Sequence, residues 1–236
     1  MARSVKTWLR EQNQLIKDKS IEELSSEFCF RDPLRPIRNN PEIIFSPADG
    51  VVVDCTDIKS CDDTIYGKYG DITINDLSYG MIPEGKYSIV TIFLTFYDAH
   101  IVRMPVDGVV KKTELPPVYV ENRPMLDFEN FIMGGKYTEI RKEIISSFAY
   151  NQRTIYSIKN PFCKDSLYLI LTADYDIDTI LDFSSKMCSM VQNQRLASIR
   201  YGSMVTCIVP KSWNTELKCK ENTHVEAGLD TLFFYE

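Results

Sequence analysis

From Ile43 onward the chain is written in short apolar runs closed by Gly, Pro, Asn or Asp, and this confines it to a fold made mainly of strands. The longest run, Tyr87 to Phe96, is rich in β-branched residues at Ile89, Val90, Thr91 and Ile92 and predicts a long apolar strand. Other strands are expected at Ile43–Phe45, Val51–Val53, Ile155–Ile158, Ser166–Ala173, Thr179–Phe183 and Lys186–Gln192. Residues 114–135 read as loop, Lys136–Ser147 as a short helix, and Asn151–Thr154 as a turn. Near the end, Ile199 to Val209 reads as one buried strand interrupted by Gly202-Ser203, a pair that marks a bulge or a close approach of backbone.

Two turns echo one another. Pro47-Ala48-Asp49-Gly50-Val51-Val52 and Pro105-Val106-Asp107-Gly108-Val109-Val110 share one pattern, 58 residues apart. Pro pre-sets φ, Gly supplies conformational freedom, and both turns run into valines, so two related β units in one sheet assembly are expected. Asp107 is taken as turn chemistry only.

The first 40 residues differ in character. Val5, Trp8, Leu9, Leu15 and Ile16 recur at helical spacing, with Lys6, Arg10, Glu11 and Lys17 on other faces. Ser20 precedes Glu23 at capping-box spacing, which predicts a second helix over about Ile21–Phe28. The favoured reading is a helical hairpin packed on the main domain. The alternative is a membrane-surface contact through the Trp-bearing face of the first helix. The expected organisation is therefore residues 1–40 as helices and linker, and 41–236 as a mainly β (α+β) antiparallel sheet domain.

Composition excludes several functions. A net charge of −6 argues against nucleic acid as a partner. No apolar run approaches the roughly 18 to 20 residues of a spanning helix, and the N-terminus lacks an apolar signal region. Seven cysteines without a C-x-x-C pair point to reduced thiols and a cytoplasmic setting. With only His100 and His224 present, a His-rich metal site is ruled out. His224 follows the polar run Lys220-Glu221-Asn222-Thr223 and is expected in solvent.

Several segments, in order, resemble the phosphatidylserine decarboxylases. Pro47-Ala48-Asp49-Gly50 looks like that family's first turn. Asp98-Ala99-His100-Ile101-Val102-Arg103-Met104-Pro105-Val106 resembles its D-x-H-x-x-(H/R)-x-P-V segment, with Arg103 as in the short prokaryotic branch. Asn151-Gln152-Arg153 is similar to N-E-R, and Val225-Glu226-Ala227-Gly228 to V-x-x-G. Arg195 to Ser203 resembles the processing site R-x-G-x-I-R-F-G-S, with Ala197 in place of a glycine and Met204 where Thr or Arg is usual. Leu169 to Asp176 is acidic at its end, where the short branch has arginines.

The resemblance implies a self-cleaving, pyruvoyl-dependent decarboxylase, with neither metal nor pyridoxal phosphate. Cleavage between Gly202 and Ser203 would turn Ser203 into a pyruvoyl group, a ketone that condenses with the substrate amine and accepts electrons from the departing carboxylate. It further implies His100 as the base that activates the Ser203 hydroxyl, and Asp49 as the group that orients His100. The expected substrate is phosphatidylserine or a related amino-acid-headed lipid or amine. Peripheral contact with a membrane and homo-oligomerisation stay open. The alternatives are a non-processing relative that only binds a ligand, and a decarboxylase of a soluble amino acid or peptide.

Overall fold

The computed structural model describes residues 2–36, 40–65, 72–115, 150–174, 180–200 and 203–236. The elements run β1 (Arg3–Ser4), α1 (Val5–Leu15), α2 (Ile21–Glu23), β2 (Ile43–Phe45), β3 (Gly50–Ile58), β4 (Thr64–Ile65), β5 (Ile72–Thr73), α3 (Ile74–Ser78), β6 (Tyr87–Leu94), β7 (Ile101–Arg103) and β8 (Gly108–Leu115). They continue as β9 (Arg153–Lys159), β10 (Leu167–Ala173), β11 (Ile180–Asp182), β12 (Met187–Met190), β13 (Arg195–Ile199), β14 (Ser203–Pro210), β15 (Thr215–Leu217), β16 (Thr223–Val225) and β17 (Thr231–Tyr235). The expected helix over 136–147, most of the loop over 114–135, and Gly202 lie outside the described residues.

A nine-stranded sheet, ordered β1-β16-β3-β6-β14-β10-β9-β8-β12, forms the centre. Every described strand pair in the molecule is antiparallel. β6 is buried at all eight positions because both faces of the sheet are covered, which is why its sequence is a continuous apolar run instead of an alternation. On one face Phe93, Met204, Ile170 and Ile155 pack under Trp8 of α1 and under Ile65, Ile74 and Leu77 of the β4-β5-α3 segment. On the other, Leu94, Ala173, Val205 and Leu169 pack against the small sheets β11-β13-β7 and β15-β17-β2.

The mainly β reading with an N-terminal helical element holds. Ser20 and Glu23 close the expected capping box, with reciprocal bonds of 2.8 and 3.1 Å. The helix that follows widens into a π-helical turn over Leu24–Phe28. α1 is docked on the sheet, with Val5, Trp8 and Gln12 buried, and Trp8 is only 1% exposed. That indole is therefore not available to a membrane. The echoed turns also match, since each makes a three-residue bend whose glycine opens a strand of the large sheet. Gly50 needs its missing side chain, because a Cβ would stand 2.4 Å from the Phe93 carbonyl oxygen. Asp107 does more than shape its turn, for its carboxylate accepts the Gln192 amide at 2.6 Å.

One expectation is overturned. Ile199 to Val209 is not a single strand. β13 ends at Ile199 in the small sheet with β7 and β11, while β14 begins at Ser203 in the large sheet between β6 and β10. Ile199 and Ser203 therefore belong to different layers. Both ends are apolar because both layers face the same core, so hydrophobicity alone does not reveal the break.

Candidate active site

Ser203 is the first residue of β14 and is fully buried, paired in register with Leu94 of β6 and Ala173 of β10. Directly opposed residues share a face of the sheet. Leu94 and Ala173 both belong to the core between the layers, so the Ser203 hydroxyl points to the side on which β7 and β13 lie. Its oxygen has no hydrogen-bond partner among the described residues. A buried hydroxyl left in that state costs about 1–3 kcal/mol, which makes it a marked exception in a packed core.

Met204 projects to the opposite face, beside Phe93 and Thr172 in register, and packs in the other core cluster. Strand alternation therefore keeps its side chain off the Ser203 side, so the departure from the usual Thr or Arg places no bulk there. Asn151 braces the neighbouring strand end: its side-chain amide donates to the Ala173 carbonyl at 3.1 Å, and the Gln152 carbonyl accepts the Ala173 amide at 2.9 Å.

His100 is fully buried in the same corner. Its backbone ties the layers together, accepting from the Ile199 amide at 3.0 Å and donating to the Cys29 carbonyl at 2.8 Å. Nε2 lies 3.0 Å from the carbonyl oxygen of Thr95, the residue after the strand partner of Ser203. A carbonyl only accepts, so Nε2 carries the proton and Nδ1 holds the lone pair. Nδ1 has no partner among the described residues. Burial pushes the imidazole pKa below its ordinary value, against the upward pull of the Thr95 carbonyl, Asp98 and the Ile199 backbone. The ring is thus neutral at neutral pH, as a base must be.

Asp49 does not hold His100. Its carboxylate accepts Arg35 at 2.8 and 3.0 Å and the Ala227 amide at 2.7 Å. Burial raises its pKa, while Arg35 and the Ala227 amide pull it back. These contacts fasten the Pro47–Gly50 turn to the Val225–Gly228 turn, which brings two of the motif segments together.

The carboxylate near His100 is Asp98, buried and bonded through one oxygen to the Thr95 amide (2.9 Å) and hydroxyl (2.7 Å). Its other oxygen meets Nε2 of His224 at 2.6 Å. Burial pushes Asp98 up, but His224 and Thr95 outweigh it and hold the carboxyl below the usual range. His224 is 2% exposed and stacks on Trp8 with ring centroids 4.2 Å apart, so the expectation of a solvated side chain is wrong. The polar run before it misled, because β16 lies inside the sheet between β1 and β3. Asp98 carried a signal of its own as the first residue of the D-x-H segment.

Beside Arg35 lies a cleft of about 760 Å³, lined by Arg35, Arg103 and Arg195 and by Leu34, Phe183 and Val191. The three apolar side chains are 98%, 51% and 53% exposed. Asp32 bridges Arg103 and Arg195. Of the acidic segment after β10 only Asp174 is described, and it is buried. Among the described residues, no group of three or more His, Cys, Asp or Glu side chains is placed to hold a metal ion, and no helix is long and apolar enough to cross a membrane.

The chain has relatives among known proteins. The family model described as phosphatidylserine decarboxylase matches residues 27–232. The phosphatidylserine decarboxylase proenzyme of Carboxydothermus hydrogenoformans is 27% identical over 205 residues, covering 87% of this chain and 77% of that protein. The protein of the same name from Ehrlichia canis is 30% identical over 208 residues, covering 88% and 74%. A putative archaetidylserine decarboxylase proenzyme from Methanocaldococcus jannaschii is 25% identical over 209 residues, covering 85% and 86%. No solved structure matches significantly.

Proposed function

The chain belongs to the phosphatidylserine decarboxylase family, and we propose that Ser203 and His100 form its reaction centre, with self-cleavage at Gly202-Ser203. The family's enzymes are carboxy-lyases matured from proenzymes, and they carry a covalent pyruvoyl group. The observation that carries the assignment is the buried Ser203 hydroxyl, without a partner among the described residues and one residue removed in register from the carbonyl that holds the His100 ring. A group made from Ser203 fits there: it inherits a fully buried position, on a face where Met204 does not intrude.

In the proposed maturation, Nδ1 of His100 takes the hydroxyl proton as Ser203 Oγ attacks the Gly202 carbonyl carbon. The amide C–N bond breaks, the departing amine takes the proton from Nδ1, and an ester replaces the amide. Loss of the α-proton of residue 203 then expels the Gly202 carboxylate, leaving a dehydroalanine. Water hydrolyses that terminus with release of ammonia, and a ketone remains. The pyruvoyl ketone supplies an electron sink conjugated to the substrate nitrogen. For the reaction itself, this chain's contribution is His100, placed to hold a proton for the α-carbon once carbon dioxide has left.

The printed names of the relatives all specify a serine-headed lipid, which supports that substrate class. With Trp8 buried, contact with the lipid surface is better supported at the rim of the 760 Å³ cleft, where Leu34, Phe183 and Val191 stand exposed beside three arginines. Carbon dioxide release is expected from phosphatidylserine in vesicles and from a short-chain, soluble phosphatidylserine, but not from free serine. A triple substitution of Leu34, Phe183 and Val191 by Asp should cut vesicle activity about tenfold or more, since each apolar side chain contributes on the order of 1 kcal/mol to burial in lipid. Activity on the short-chain lipid should survive. Equal loss on both lipids would remove the rim from the account, and release from free serine alone would replace the lipid reading with the soluble amino-acid one.

A further inference from the structure

The chain contains two histidines, and the fold brings both to one hydrogen-bonded array. Both rings are buried, both engage Nε2, and both leave Nδ1 without a partner among the described residues. Asp98 and Thr95 join them. Asp98 takes the Thr95 amide and hydroxyl on one oxygen and His224 on the other, while the Thr95 carbonyl receives the His100 ring. Of the two, only His100 takes part in the proposed cleavage.

We propose that His224, acting through Asp98 and Thr95, is a positioning residue that fixes His100 in the tautomer with its proton on Nε2 and its lone pair on Nδ1. The proposal rests on His100 being the base. His224 Nε2–H donates to a carboxylate at 2.6 Å, the short range of charge-assisted bonds. That contact holds Asp98 in one orientation, and its second oxygen then holds both donors of Thr95. With the Thr95 backbone fixed in this way, its carbonyl is an acceptor of set direction, and only a protonated Nε2 satisfies it.

His224 is itself held from two sides. Its backbone lies between Val51 of β3 and Arg3 of β1, and its ring lies flat on Trp8 at an interplanar angle of 11°. The other charged groups around the array are already engaged. Arg31 donates to the Phe28 and Tyr97 carbonyls, and Arg35 pairs with Asp49 and reaches Glu226. Arg31 faces Asp98 and Asp49 and lowers the affinity of His100 for a proton. His224 is the group that bonds Asp98 directly from the β1-β16-β3 side of the sheet. A purely structural contact would stabilise the fold without selecting a tautomer on the other histidine.

The test uses the full-length Ser203→Ala chain, which needs no cleavage, with ¹⁵N ring signals recorded across pH. With two histidines the assignment is direct, because H224F leaves only the His100 signals while keeping a ring on Trp8. In the parent, His100 should appear as a single Nε2–H tautomer. H224F should give a mixture of tautomers and a moved titration midpoint, and H224Q, which restores a donor to Asp98, should recover the single form. With Ser203 restored, H224F should cut at least about tenfold more slowly, a fraction of what a general base contributes. An unchanged tautomer and midpoint in folded H224F would overturn the proposal. If H224F does not fold, Asp98→Asn, of nearly the same shape, carries the test: it should yield the mixture, and a single Nε2–H tautomer would overturn the proposal. Failure of the parent reading shows differently, as a wild-type chain that never cuts.

Discussion

Ser203→Ala leaves the chain uncut and at least as stable as the uncut wild-type precursor. Alanine removes the hydroxyl that attacks the proposed scissile bond, so the loss of cleavage is complete instead of partial. The stability half of the result follows from the surroundings. The Ser203 oxygen is buried with no partner among the described residues, so deleting it removes a desolvation cost of about 1–3 kcal/mol and breaks no bond within them. A methyl group at 203 faces Leu94 and Ala173, which are apolar. Electrophoresis after long incubation reads the first effect and thermal melting the second. A cut S203A chain would contradict the role given to the hydroxyl, and a marked drop in melting temperature would contradict the environment described for it.

His100→Ala should slow self-cleavage by about 10² or more, within the range that a positioned base contributes. The protein should still fold. The variant leaves the Thr95 carbonyl unpaired at a cost of about 1–3 kcal/mol, against a typical total stability of about 5–15 kcal/mol. The pH dependence has a definite sign. Burial depresses the His100 pKa, so the neutral base persists through neutral pH and is lost only on acidification to a midpoint below about 6.5, the free imidazole value. The linkage to stability runs the same way. The stability tied to neutral His100 is fully present above the unfolded pKa of about 6.5 and declines as pH falls from there towards the folded value. A cleavage rate measured from pH 5 to 8 in the wild type checks this. A midpoint above 6.5, or a normal rate in the alanine variant, would exclude His100 as the base.

Much of this site is legible in the sequence, and the exceptions have physical causes. The runs that become β6 and β10 are apolar because they are buried on both faces, and the Pro-x-Asp-Gly turns announce β3 and β8 through local chemistry. The capping box at Ser20 and Glu23 is equally local. What escapes are features made by distant pairing. The layer change between Ile199 and Ser203 is hidden because both sides serve one core. His224 meets Asp98 across 126 residues, and its burial depends on Trp8 and on Arg3 pairing across β1 and β16. The family resemblance pointed to Asp49 as the partner of His100, but Arg35 and the Ala227 amide occupy that carboxylate. The D-x-H spacing already placed Asp98 two residues from His100, and the turn at Thr95 converts that spacing into a hydrogen-bonded clamp.

The proposed self-made reaction centre at residue 203 is checked by the intact mass of the purified full-length protein. Two species are expected: one ending at Gly202, and one from residue 203 to Glu236 that is lighter than the plain peptide by one ammonia. The smaller species should resist N-terminal sequencing and react with a carbonyl reagent such as hydroxylamine. A single uncut chain that persists on incubation, or a short fragment beginning with an unmodified serine amine, would contradict it.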